Sequence, residues 1–240
     1  DEHGLEDADT TLGQLVSAGV PGVDDGRQAF MHNKFIIIDG RQVWTGSWNL
    51  TVNGTYRNNN NMIAIDAPEL AAIYAREFEE MFTDRKFGAS SPPSRGLNEQ
   101  MVTINNTRIQ VYFAPEDEVA EKLVRLVERA ESHIRFMAFA FTHDAIGQAV
   151  LEQAAVGVRV EGIFEERGST SQYSEFPTMF CRGLPVRWDG NPRSLHHKVF
   201  ILDDETVVLG SFNFSASADR DNDENLLIVR NAEIAARYNA

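Results

Sequence analysis

The chain has 240 residues, a formal net charge of −14 and one cysteine, Cys181. That length holds one large domain or two ordinary ones with real cores, and a lone cysteine excludes an internal disulfide. The acidic balance repels polyanions at long range and argues against tight nonspecific binding to nucleic acid or anionic lipid, and no run approaches the ~20 apolar residues of a membrane span.

Along the chain, Lys34 to Ile38 reads as a strand, Asp39-Gly40-Arg41 as a turn and Gln42 to Thr45 as the returning strand. A helix follows through Glu77 and Phe82. The stretch from Ala89 to Asn98, rich in Ser, Pro and Gly, reads as a linker. Ile104 to Phe113 reads as one strand, and Pro115-Glu116-Asp117 opens a helix with Val119, Leu123, Leu126 and Val127 on its apolar face. Ile134 to Phe141 is a buried strand, Asp144 caps a helix that stops near Gly157, and Val158 to Phe164 is a further strand. This β-α-β-α-β order predicts an α/β layered domain with a largely parallel core sheet. Lys198 to Leu202, Asp203-Asp204-Glu205 and Thr206 to Leu209 repeat the opening strand-turn-strand.

That repetition is global. With the chain slid by 164 residues, 18 of the 58 positions from Gly19 to Arg76 are identical without a gap. His32, Lys34 and Asp39 fall on His196, Lys198 and Asp203, and Gly46-Ser47-Trp48-Asn49 falls on Gly210-Ser211-Phe212-Asn213. Ungapped matching of this length indicates a duplicated unit. The second copy carries roughly 60 residues before the point that aligns with Asp1, so the first copy is expected to be N-terminally truncated here, and any targeting signal is unreadable. The expected organisation is 1–88 as the C-terminal part of the first repeat, 89–100 as linker and 101–240 as the second repeat.

The duplicated residues suit one chemistry. Cleaving a phosphodiester without a metal calls for a nucleophile, an acid for the leaving oxygen and positive charge around the phosphoryl oxygens. Two histidines can divide the first two roles, two lysines supply the charge, and the amides of Asn49 and Asn213 can donate to phosphate oxygens. Histidine and lysine alternate in sequence, so both side chains reach the same face of a strand. No spacing of His, Cys or acids resembles a metal site, and no cofactor is expected.

The pattern His-x-Lys-x4-Asp-x6-Gly-Ser-x-Asn, present twice, resembles the phospholipase D superfamily. The resemblance covers the whole second copy and the surviving part of the first. It implies two pseudo-twofold related mixed β-sheet units flanked by helices, one shared active site and a phosphohistidine intermediate. It assigns His32, Lys34, His196 and Lys198 to catalysis, Asp39 and Asp203 to structural support, and Ser47 and Ser211 to hydrogen bonding. The family usually places a carboxylate late in each repeat to orient a histidine. The second copy has Glu224 there; the first has Asn60. Since a carboxylate beside an imidazole favours its charged form, pairing Glu224 with His196 predicts that His196 rests protonated as the acid and His32 rests neutral as the nucleophile. The compact repeats favour a nuclease-type substrate slightly over a phospholipid headgroup ester. A non-catalytic scaffold is the rival that both intact motifs argue against. His197, next to the motif, reads as a bystander.

Overall fold

A computed structural model describes residues 11–94 and 100–240; the remaining residues, among them 95–99 of the expected linker, lie outside that description. The first repeat contributes a three-stranded antiparallel sheet of β1 (Phe35–Ile38), β2 (Gln42–Gly46) and β3 (Met62–Asp66), followed by the Pro68–Phe82 helix. The second contributes β4 (Met101–Ile104), β5 (Thr107–Ala114), β6 (His133–Ala138), β7 (Arg159–Phe164), β8 (Val186–Trp188), β9 (Lys198–Leu202), β10 (Thr206–Gly210) and β11 (Glu224–Arg230). These form one sheet in the order β4-β5-β11-β10-β9-β6-β7-β8.

The fold is α/β with a mixed sheet, as the family resemblance implies; the largely parallel sheet suggested by the element order alone is not what forms. Only β6, β7 and β8 run parallel; β9, β10, β11, β5 and β4 pair antiparallel in succession. The β9–β10 hairpin and β11 insert between β5 and β6, so the helix at Val119–Val127 does not join neighbouring parallel strands. The single strand expected over Ile104 to Phe113 is a hairpin. Asn105 and Asn106 both take positive φ, a conformation asparagine tolerates well, and turn β4 into β5. The helix expected at Pro115 starts only at Val119, because the Asp117 carboxylate accepts the N–H of Phe113 at 2.8 Å and the Gln100 amide at 2.6 Å.

Two cores flank the large sheet. On one face Phe136, Phe141, Phe164, Phe200 and Phe214 pack with the Val119–Val127, Asp144–Ala155 and Glu175–Cys181 helices. On the other, Val199, Ile201, Val207, Leu209, Leu227 and Val229 meet Val43, Ile65, Leu70 and Tyr74 of the first repeat. This second core joins the repeats and brings their motif ends together. The far face of the small sheet is less covered: Trp44 is 37% exposed where its counterpart Val208 is 1% exposed.

Five carboxylates gather beside that junction: Glu77 and Glu80 on the Pro68–Phe82 helix, Glu116 and Asp117 after β5, and Asp223 before β11. Burial, then mutual repulsion, holds Glu77 well above the ordinary carboxylate value, and burial raises Glu116 to about 8. A pKa raised on folding contributes stability that is complete below the unfolded value near 4.5 and is lost as pH rises through the folded value. Glu77→Gln is therefore expected to raise the melting temperature at pH 8 by roughly 2–4 °C and leave it unchanged at pH 4. Thermal melts of both proteins across that pH range check this.

Candidate active site

Each half-site begins with a tight β-hairpin. In the β1–β2 turn Asp39 and Gly40 take positive φ, and in the β9–β10 turn Asp203 and Asp204 do. The motif aspartate thus occupies a left-handed turn position that Asp accepts at low cost. Asp203 also clasps the start of β6, accepting the N–H groups of Glu131, Ser132 and His133. Burial works against its charge, but these donors pull its carboxyl below the usual value. Asp39 is exposed and makes no hydrogen bond among the described residues, so it holds only the turn.

At the far end of each hairpin the chain must pass close to a backbone carbonyl. A Cβ on Gly46 would lie 2.2 Å from the Asn61 carbonyl oxygen, and one on Gly210 would lie 2.3 Å from that of Asn225. Glycine permits this approach, and the N–H groups of Ser47 and Ser211 then bond those same oxygens at 3.0 Å.

The two half-sites interlock across a pseudo-twofold axis. The His32 N–H donates to the Asp223 carbonyl at 2.9 Å, and the His196 N–H to that of Asn59 at 2.8 Å. Asn225 donates to Asn33 at 3.0 Å, and His197 meets Asn61 at 3.1 Å in the equivalent place. The Tyr74 hydroxyl donates to Asn225 at 3.3 Å, while Asn61 donates to Tyr238 at the same distance. His197 is therefore part of the joint between repeats and not a bystander.

The orienting residues follow the same crossed rule, which overturns the pairing expected from sequence. His32 Nδ1 lies 2.7 Å from both carboxylate oxygens of Glu224. His196 Nδ1–H donates instead to the Ser47 carbonyl and to Asn60 Oδ1, each at 2.9 Å. Glu224 belongs to the repeat of His196 but serves His32, because β11 delivers it across the axis. Ser211 braces Glu224 at 2.6 Å, and Ser47 braces Asn60 at 2.9 Å.

Both lysines are folded back onto their histidines. Lys34 Nζ donates to the His32 carbonyl at 2.8 Å; Lys198 Nζ donates to the His196 carbonyl at 3.1 Å and lies 3.3 Å from His196 Nε2. Lys198 is 1% exposed. Burial drives its pKa far down, helped by the charge of Lys34, and burial brings Lys34 to about 8. Burial, then Lys198 and Lys34, push His196 to about 2. His196 thus rests neutral, the reverse of the expected state. For His32, burial outweighs the opposing pull of Glu224, and its pKa also falls. Each histidine feels both lysines, so all four groups stand within reach of one another's charge.

Among the described residues the side-chain amides of Asn49 and Asn213 make no hydrogen bond, and Asn213 Oδ1 is buried without a partner. Both are thus available to a bound group. Sequence reasoning passed over Asn61, Asn225, Tyr74 and Tyr238 as site-building residues, although the repeat matched them. It also passed over Phe139, whose ring contacts His196 and Lys198. No residue of this chain stands at the position 164 before Phe139, so the repeat carried no signal for it.

Two half-sites of this geometry on a mixed α/β frame define the phosphodiesterases of the phospholipase D superfamily, and the chain belongs to that superfamily. The matching family, described as cardiolipin synthase, PLD-like domain, covers residues 2–82 and 123–240. Phospholipase D of Rickettsia felis is 25% identical over 189 residues, spanning 76% of this chain and 94% of that protein. Mitochondrial cardiolipin hydrolase of Xenopus tropicalis is 30% identical over 122 residues, 51% of this chain and 58% of that one. Among solved structures, Nuc from Salmonella typhimurium, a phospholipase D family member, is 32% identical with a TM-score of 0.52, covering 55% of this chain and 89% of its own. Phosphatidylserine synthase from Haemophilus influenzae Rd KW20 shares the fold at 15% identity, with a TM-score of 0.68 over 94% of this chain and 66% of its own.

Proposed function

We propose that this chain hydrolyses phosphodiesters in two steps, with His32 as nucleophile and His196 as acid and base. The observation that carries this division is the carboxylate of Glu224 at His32 opposite two neutral oxygens at His196. In the first step His32 Nε2 bonds to phosphorus, the ester P–O bond breaks, and His196 gives its Nε2 proton to the leaving oxygen. Positive charge then leaves His196 and builds on His32, where Glu224 stabilises it for the life of the phosphohistidine. The bound phosphate anion offsets the two lysines and restores the affinity of His196 for the proton it must carry. In the second step His196 takes a proton from water, the water oxygen bonds to phosphorus, and the P–N bond breaks. Lys34, Lys198, Asn49 and Asn213 hold the phosphoryl oxygens. The repeats in this reading divide at 89–100, and neither step needs a metal.

Within this class we infer a phospholipid headgroup ester as the substrate, reversing the order expected from sequence. Phe30 and Met31, immediately before His32, are 53% and 48% exposed. Bonds from the Phe30 N–H to Asn222 and from the Asp223 N–H to the Phe30 carbonyl pin this segment at the site. Exposed apolar side chains beside a phosphate site suit a substrate with an acyl end. The net charge of −14 opposes a polyanion. The relatives phospholipase D and mitochondrial cardiolipin hydrolase point the same way. The test offers dispersed phosphatidylcholine and cardiolipin, single-stranded DNA, RNA and bis(p-nitrophenyl) phosphate, all with chelator present. Turnover of lipid and of the small diester is expected. Cleavage of nucleic acid with lipid untouched would reverse the substrate reading, and loss of all activity to the chelator would overturn the metal-free step.

A further inference from the structure

We propose that Phe139 is a positioning residue of this active site, its ring holding the buried ammonium of Lys198 and the imidazole of His196 in their working pose. Phe139 follows directly on β6, and its N–H donates to the His197 carbonyl at 2.9 Å, which pins it against the second motif. Its ring centroid lies 4.7 Å from that of His196 at an interplanar angle of 50°, and 4.8 Å from Lys198 Nζ.

The need for such a ring follows from the donor count. An ammonium carries three N–H groups. The only hydrogen-bond partners of Lys198 Nζ among the described residues are the carbonyl and Nε2 of His196. Almost no surface of this lysine reaches water. The negative face of an aromatic ring at cation–π distance fills the remaining place, and its attraction strengthens where water is excluded. It leaves the ammonium free to turn to a phosphate oxygen, which a carboxylate bound directly to it would oppose. The other half-site lacks this device: no aromatic ring lies in cation–π contact with Lys34 among the described residues, and Glu224 stands at its histidine instead. The half-sites are thus balanced by different groups, a carboxylate on one side and an aromatic face on the other. The role depends on the phosphodiesterase reading above.

The test compares Phe139→Leu, which keeps apolar bulk and loses the π face, with Phe139→Tyr, which keeps both. Inorganic phosphate binding is measured by calorimetry from pH 6 to 10, and kcat and KM on bis(p-nitrophenyl) phosphate. Phe139→Leu is expected to weaken phosphate binding about 10-fold, to move the alkaline limb of binding down by about one pH unit, and to lower kcat more than it raises KM. Phe139→Tyr is expected to retain the parent values in all three. A Leu variant with the parent affinity and the parent alkaline limb would overturn the proposal, as would Leu and Tyr variants impaired alike. A parent protein that neither binds phosphate nor cleaves the diester would instead remove the functional reading, and the role of Phe139 with it.

Discussion

Alkaline quenching of the enzyme during turnover of a labelled phosphodiester is expected to leave the label on His32, since an N-phosphoryl bond survives base. His32→Ala should form no adduct and lose at least ~10⁴ in kcat, because both steps pass through its Nε2. His196→Ala should lose about 10²–10⁴ on an ester with a poor leaving group, the usual contribution of a positioned acid. With a p-nitrophenyl ester the first step needs no protonation, so this variant should instead accumulate the adduct and stall. Glu224→Gln should lower kcat by about 10²-fold or more while leaving His32 in place, since the amide cannot offset the charge and its NH2 can favour the wrong tautomer. Peptide mapping of the labelled protein locates the adduct. Label on His196 would reverse the two roles.

Lys198→Met is expected to abolish activity and to make the protein more stable. Lys198 is completely buried, its charged form is disfavoured by burial and by Lys34, and Met fills a similar volume. Exchanging a buried charge for an apolar side chain commonly gains about 1–4 kcal/mol. For a chain of this size each ~1 kcal/mol moves the melting temperature by about 2–4 °C. The folded pKa lies below the unfolded value of 10.5, so the lysine costs stability as pH falls through the folded value and costs nothing above 10.5. The gain from Met should therefore be large at pH 7 and vanish near pH 11. Thermal melts at the two pH values, beside a kcat reduced by about 10³ or more, test the trade of stability for function. Equal stability of parent and variant at pH 7 would mean that Lys198 is not held as a buried charge.

Much of this site was legible in the residues alone, because duplication printed it twice. His32, Lys34, His196 and Lys198 come together at the joint of the repeats, and Ser47, Ser211, Asn60 and Glu224 stand behind them. Which orienting residue serves which histidine was not legible. A repeat aligns each position with its own counterpart and carries no record of contacts made across the axis, so Glu224 was paired within its own copy. The element order suggested a more parallel sheet than the one that forms, for a related reason. Alternation along β6 and β7 gives strand identity, but the insertion of β9, β10 and β11 between β5 and β6 depends on pairings 60 or more residues apart in sequence. The early end of the strand at Ala138 and the reach of Phe139 onto Lys198 are likewise tertiary events.

The crossed dyads have a bearing on how such a site can change over time. In a symmetric pair of identical chains, one substitution strikes both orienting positions at once, and both histidines must stay equivalent. Carrying the two halves on one polypeptide removes that bond between them. One position can hold an acid while the other holds an amide, as Glu224 and Asn60 do. A reaction whose two proton-handling groups need opposite tempers gains from such freedom, and internal duplication is a direct route to it.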